Sequence, residues 1–256
     1  MSHIGIRFLL EKTVYRIPLF PLPCLRDMFM ITKNIAAIRE RMERSALLAG
    51  RRPEEVRLVA VSKMVSADRI REVADAGLRI FGENYIQEAR EKAGAVCDLP
   101  IEWHFIGHLQ TNKAKYAVRQ FALIHSVDSA HLIAAIDREA QKLGKVQDVL
   151  IQVNVAGETS KSGVEPDALY PLLEAAAAHS HVRVVGLMTM PPYSENPEVV
   201  RPYFRILKTL AESYTGIVPG IDLRELSMGM SGDFEVAISE GATLVRIGTA
   251  IFGERS

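Results

Sequence analysis

Cysteine is almost missing from this chain. Cys24 and Cys97 are too few for a disulfide framework, and no CxxC pair or Cys/His cluster offers a zinc site. Net charge is missing as well: 31 Lys and Arg balance 31 Asp and Glu, so no overall field draws the protein onto nucleic acid or an anionic membrane. No apolar run nears the roughly 18 residues needed to cross a bilayer. The stretch "IGIRFLLEKTVYRIPLFPLPCLRDMFM" lacks the basic start, unbroken core and small-residue cleavage site of a signal peptide. Low-complexity tracts, repeats at the level of identity and a Gly/Ser/Pro-rich linker are also lacking from residues 31 to 256. These absences leave a cytoplasmic protein with neither nucleic acid nor membrane as its partner, and with no metal site expected.

What is present is an ordinary globular composition, 48% apolar and 24% charged over 256 residues, with enough chain for one sizeable core. Residues 1 to 29, with Pro18, Pro21 and Pro23, read as an irregular N-terminal extension. From residue 30 to residue 256 short β-rich runs alternate with longer segments of helical period, the pattern of βα units and a parallel sheet. The runs are 56–63, 78–84, 101–107, 121–127, 148–155, 182–190, 223–230 and 243–253. Eight of them suggest closure into a barrel, because an apolar strand such as "VLIQV" needs cover on both faces. Between strands four and five, Leu132, Ile133, Ile136, Ala140 and Leu143 fall on one helical face, with Ser129 to cap its start and Gly144 its end. The helix "ITKNIAAIRERMERSALLAG" before strand one can fill the place in the outer ring that no helix after strand eight takes. The expected fold is a single-domain (β/α)8 TIM-like barrel, complete as a monomer.

Working groups in such a barrel sit where strands finish. Along strand one, Val59, Val61 and Lys63 share a face by the two-residue period, so Lys63 extends an apolar row at the rim. A partly desolvated lysine there favours its neutral amine, which can attack a carbonyl and form a Schiff base. A solvated strand-end lysine is the plainer reading of this stretch alone. The far end of the chain shifts that balance. "LSMGMSGDFEVAISEG" is a strand, a turn with Ser231 and Gly232, and a helix starting near Asp233, where free backbone N–H groups suit an anion. Strand eight ends in "VRIGTAIFG", where Gly248 permits close backbone approach to a ligand and Thr249 adds a hydroxyl. Barrels of this kind often bind phosphate with the loops after strands seven and eight. A reactive amine facing a phosphate cup describes a site for a phosphorylated aldehyde, with pyridoxal 5'-phosphate the obvious candidate.

The segments "AVSK", "FGENYIQE", "WHFIGHLQTNK", "SVDS", "VNVAGETSKSG", "GLMTM", "LSMGMSGD" and "VRIGTAIFG" resemble the YggS/PROSC-like pyridoxal phosphate homeostasis proteins, in the same order from about Ile31 to Gly253. The resemblance implies a barrel of the alanine racemase N-terminal type, with pyridoxal 5'-phosphate held as an internal aldimine on Lys63. It implies phosphate contacts from Ser231, Gly232, Gly248 and Thr249, Arg246 facing the pyridine nitrogen, and Asn84 near the ring. A guanidinium cannot take the pyridine proton, which leaves the ring a weak electron sink. Racemases of related fold add a tyrosine base from a C-terminal domain that is not expected here, and two-base proton transfer needs both groups and a dry site. The resemblance therefore implies a non-enzymatic protein that stores or delivers pyridoxal phosphate, with dependent apoenzymes as recipients. The rivals are a racemase-like enzyme and a Schiff-base aldolase without cofactor. His104 is given no catalytic role and Glu83 is a candidate for orienting a ligand. Lys113 and Lys161 are candidates for anion traffic, and Met188, Met190, Met228 and Met230 read as core or pocket wall.

Overall fold

The apolar strands close on themselves. A computed structural model describes residues 22–158 and 162–253, with side chains from residue 30 onward. Its strands are β1 (Arg57–Val61), β2 (Ile80–Glu83), β3 (Glu102–Phe105), β4 (Leu123–Val127), β5 (Gln147–Gln152), β6 (Val182–Met188), β7 (Glu225–Ser227) and β8 (Leu244–Ile247). They pair in sequence order, every neighbour parallel, and β8 returns to β1 to complete the barrel. Helices α2 (Ala67–Asp75), α3 (Ile86–Ala95), α4 (Ala114–Gln120), α5 (Ala130–Lys142), α6 (Leu169–Ala177), α7 (Arg201–Tyr214) and α8 (Phe234–Ser239) fill the connections.

The two-residue side-chain period divides the core in two. Val59, Leu123, Leu150, Val185, Met188 and Leu244 form a small cluster inside the barrel. Their strand neighbours, such as Ala60, Ile124, Val149 and Val245, join the larger layer under the helices. The expected cap on α5 is present, since Ser129 Oγ accepts from Leu132 N at 3.4 Å, and Gly144 takes φ 61° just past its end. Leu132, Ile133, Ile136 and Ala140 are buried, but Leu143 is exposed. It caps the helix C-terminus rather than continuing the stripe.

The first helix, α1, spans Leu22–Leu48, so helical structure begins inside the segment expected to be irregular; residues 1–21 lie outside the described residues. Ile31, Ile35, Ile38, Met42 and Ala46 repeat at helical spacing and are buried, each large one contributing about 1.5–3 kcal/mol. The helix packs on α8 and on α9 (Thr249–Phe252), taking the expected place in the ring. Arg41 pairs with Glu235 at 2.8 Å, and Asn34 donates to the Ile251 carbonyl at 3.0 Å. The last element corrects the sequence reading: the run expected as strand to residue 253 is strand only to Ile247. Beyond it Ile251 and Phe252 N–H groups turn back to the Gly248 carbonyl, winding the helical turn α9. Among the described residues no helix is long and apolar enough to cross a membrane.

Candidate functional site

Lys63 stands just past the end of β1, in a turn that is braced from below. Val65 N–H donates to the Ser62 carbonyl at 3.0 Å, and Met64 adopts φ 60°, a left-handed conformation that a side chain with a Cβ resists. The Met64 N–H is held by Glu88 of α3. Glu88 in turn pairs at 2.6 Å with Lys92, which also pairs with Glu83 at 2.7 Å and donates to the Ser62 carbonyl. Ser62 Oγ donates to Glu83 at 2.7 Å. Glu83 is therefore fully buried under the turn and does not line the cavity, which corrects the expectation that it orients a ligand. Burial pushes its carboxyl above the usual range against the pull of Lys92 and Ser62.

A cavity of about 490 Å³ opens at the C-terminal ends of the strands, a size suited to a small cofactor. All seven residues singled out from the sequence line it: Lys63 after β1, Asn84 after β2, Ser231 and Gly232 after β7, Arg246 within β8, and Gly248 and Thr249 after it. Val61, Ile106, Met190 and Met230 supply apolar wall, while Tyr193, Ser194 and Asp233 were not foreseen. Met190 and Met230 are thus pocket wall, whereas Met188 and Met228 are fully buried.

The two turns at the phosphate end are tied together. Thr249 Oγ1 donates to Ser231 Oγ at 3.2 Å, and the Ala250 N–H reaches the same oxygen at 3.4 Å. Gly229, with φ 92°, starts the turn after β7, where an added Cβ would lie 2.6 Å from the Ala237 Cβ. Asp233 closes that turn by accepting from the Met230 N–H. Burial holds the Asp233 carboxyl above its usual value. The two site glycines differ in purpose. A Cβ at Gly232 would meet nothing within 4 Å, so its absence leaves cavity space. A Cβ at Gly248 would come 3.3 Å from the Val61 carbonyl oxygen, so that glycine serves the close packing of β8 on β1.

Arg246 is nearly inaccessible. Its Nη1 donates to Ser227 Oγ at 2.6 Å and its Nη2 to the Thr189 carbonyl at 2.9 Å. Desolvation pulls its pKa down to about 10, leaving it protonated at neutral pH. Ser227 and Thr189 were missed; Ser227 shares its strand end with a motif already quoted, but nothing in the sequence shows which side chain it will meet. Asn84 also lines the cavity, and its Oδ1 is buried without a hydrogen-bond partner among the described residues. An amine, a hydroxyl-lined turn, a donor-only guanidinium and an unpaired amide oxygen around one cavity fit a phosphorylated aldehyde with a polar ring.

The remaining candidates lie elsewhere. Lys113 lines an adjacent cavity of about 580 Å³ with Arg90 and Tyr116, sharing only Asn84 with the first. Lys161 lies outside the described residues. His104 is fully buried inside the barrel, between Glu102 at 2.8 Å and His125 at 3.0 Å, and does not reach the cavity.

Several known proteins are similar to this chain. A family model described as "Alanine racemase, N-terminal domain" matches residues 31–256. A pyridoxal phosphate homeostasis protein of Aquifex aeolicus is 50% identical over 223 residues, covering 87% of this chain and 97% of that protein. One of Pseudomonas aeruginosa is 43% identical over 229 residues, covering 89% and 97%. The structure of PipY from Synechococcus elongatus PCC7942 with pyridoxal phosphate bound is 38% identical. It matches with a TM-score of 0.77, covering 87% of this chain and 100% of that one.

Proposed function

The chain belongs to the pyridoxal phosphate homeostasis proteins, built on the alanine racemase N-terminal domain, and on that premise we propose that it holds pyridoxal 5'-phosphate in the Lys63 cavity for storage or delivery. The observation that carries the reading is the meeting of Lys63 from the start of the barrel with Ser231, Gly232, Gly248 and Thr249 from its close, around one cavity. When bound, the cofactor supplies an aldehyde that condenses with a primary amine and releases water. Lys63 is the amine, Ser231, Gly232, Gly248 and Thr249 receive the phosphate, and Asn84 and Arg246 contact the ring.

Holding rather than turnover is the proposed role. Arg246 presents only donors, so a ring nitrogen set against it stays unprotonated and the electron sink needed for carbanion chemistry stays weak. The proposal extends to a cytoplasmic monomer that passes its cofactor to dependent apoenzymes and limits free aldehyde. Residues 30–256 form its cofactor-binding unit.

Borohydride reduction of protein incubated with pyridoxal 5'-phosphate, followed by peptide mass mapping, tests the site. A pyridoxyl adduct on Lys63, absent in Lys63→Ala, is expected; an adduct elsewhere, or none, overturns it. Incubating the loaded protein with single-enantiomer amino acids tests the role, and sustained loss of enantiomeric purity would replace it with a racemase.

A further inference from the structure

Inside the barrel lies a line of polar groups that the cavity does not use. Ser227, His125 and His104 are each 0% exposed, among apolar neighbours such as Leu123, Leu150 and Leu244. Buried polar groups in such surroundings are costly unless every donor and acceptor is matched. Here they are matched end to end.

The direction of each bond is set from both ends: arginine can only donate, and the charged Glu102 carboxylate can only accept. Arg246 Nη1 therefore donates to Ser227 Oγ at 2.6 Å. With His104 donating to that carboxylate and both rings neutral, His125 Nδ1 is the bare nitrogen of its ring and takes the Ser227 hydroxyl hydrogen at 2.8 Å. The His125 proton sits on Nε2 and is donated to His104 Nδ1 at 3.0 Å. His104 donates from Nε2 to Glu102 Oε1 at 2.8 Å. Glu102 opens β3 at the opposite end of the barrel, with 47% of its side chain exposed. The chain crosses from β8 and β7 to β4 and β3, with a cation at the cavity and a carboxylate at the far pole.

We infer that Ser227, His125, His104 and Glu102 form a positioning relay for Arg246, fixing its guanidinium against the ligand cavity through a one-way series of hydrogen bonds. The inference rests on the pyridoxal phosphate reading of that cavity. Each group orients the next, so the free N–H groups of Arg246 keep one direction toward the ring. The relay works only while both imidazoles are neutral. Desolvation holds His125 well below its ordinary value, helped by the positive charges of Arg246 on β8 and Arg57 on β1 and by His104 on β3. Arg57 is itself paired with Glu225 of β7 at 2.8 Å. At the other end, the bond from His104 keeps the Glu102 carboxyl below its ordinary value, as a charged acceptor.

Absorbance titration with pyridoxal 5'-phosphate across the neutral pH range tests the relay. His125→Leu is expected to weaken binding about tenfold, and His125→Gln, which keeps one acceptor and one donor, to restore most of it. Glu102→Ala, at a half-exposed site remote from the cavity, is expected to weaken binding about threefold and to move the pH midpoint of the bound absorbance band. Wild-type affinity and pH profile in Glu102→Ala would overturn the relay, even if His125→Leu fails to fold. Nitrogen-15 NMR of the histidine-labelled protein without ligand reads the rings directly. Neutral rings with the proton on Nε2 of both are expected; a proton on His125 Nδ1 overturns the relay. That measurement stands even if the wild type takes no pyridoxal phosphate, an outcome that would sink the proposed function alone.

Discussion

Arg246 pairs in register with Val59 across the β1–β8 ladder, and Val59 shares its strand face with Lys63, so the guanidinium and the amine rise from adjacent strands on one wall. That wall depends on the fork shape of the arginine, which reaches Ser227 Oγ and the Thr189 carbonyl together. A lysine offers one compact ammonium and cannot span both. Arg246→Lys is expected to bind pyridoxal 5'-phosphate about tenfold more weakly, measured by absorbance titration. Unchanged affinity would mean that only the charge matters.

Two glycines near the cavity respond in opposite ways to one methyl group. At Gly107 an added Cβ would sit 2.2 Å from the Asn84 carbonyl oxygen and 2.7 Å from its Cα, a clash of backbone with side chain that no rotamer relieves. Gly107→Ala is expected to lose about 1–3 kcal/mol in urea unfolding. Gly232→Ala should keep wild-type stability, since nothing lies within 4 Å, yet lose affinity because the methyl enters ligand space.

The brace beneath Lys63 has a pH signature. The ordinary value of the Glu83 carboxyl is 4.5; burial raises it, and the bond from Lys92 works against the rise. In Lys92→Met the folded value climbs further, so the variant's deficit is small below the ordinary value and grows as pH rises through the raised one. At neutral pH a loss of about 3 kcal/mol is expected for the unpaired buried charge. Denaturant melts of variant and wild type at several pH values check this; a deficit independent of pH would contradict it.

Glu240 behaves with the opposite sign. It accepts from Arg201 at 2.8 Å and from Arg205 at 3.0 Å, and the Arg205 bond leads in holding its carboxyl below 4.5. Its contribution is present above the ordinary value and is lost as pH falls through the depressed one. Glu240→Gln is expected to cost about 1 kcal/mol at neutral pH, reduced by the exposure of Arg205, and to flatten the acid limb of the stability curve. Thermal melts from neutral to acid pH provide the check.

The positions of the strands were legible because "VLIQV" and its counterparts need cover on both faces, which a barrel with outer helices supplies. The cavity residues were legible because strand ends and the two-residue period fix which side chains reach the rim. Lys63 and Thr249 needed nothing more, whereas Arg246 and Asn84 came only from the family resemblance. The end of β8 was read too far, since an apolar run does not show that Ile251 and Phe252 will bond back to Gly248. Glu83 was placed near a ligand by its neighbour Asn84 and His104 was given no catalytic role, whereas their partners, Lys92 and His125, are set by helix packing and barrel stagger. Those pairings depend on three-dimensional offsets that no local spacing encodes.

The ladder between β4 and β5 carries its own lesson. Ile124 pairs with Val149 and Val127 with Ile151, so three steps along one strand match two along the other. The extra residue acts as a frameshift in the inside-outside code: Leu123 and His125 face inward, but Val127, which plain alternation would send the same way, joins the outer layer. Removing one residue at Ser126 would reset that frame. Any engineered graft of this strand onto another barrel must therefore carry the insertion along with the histidine.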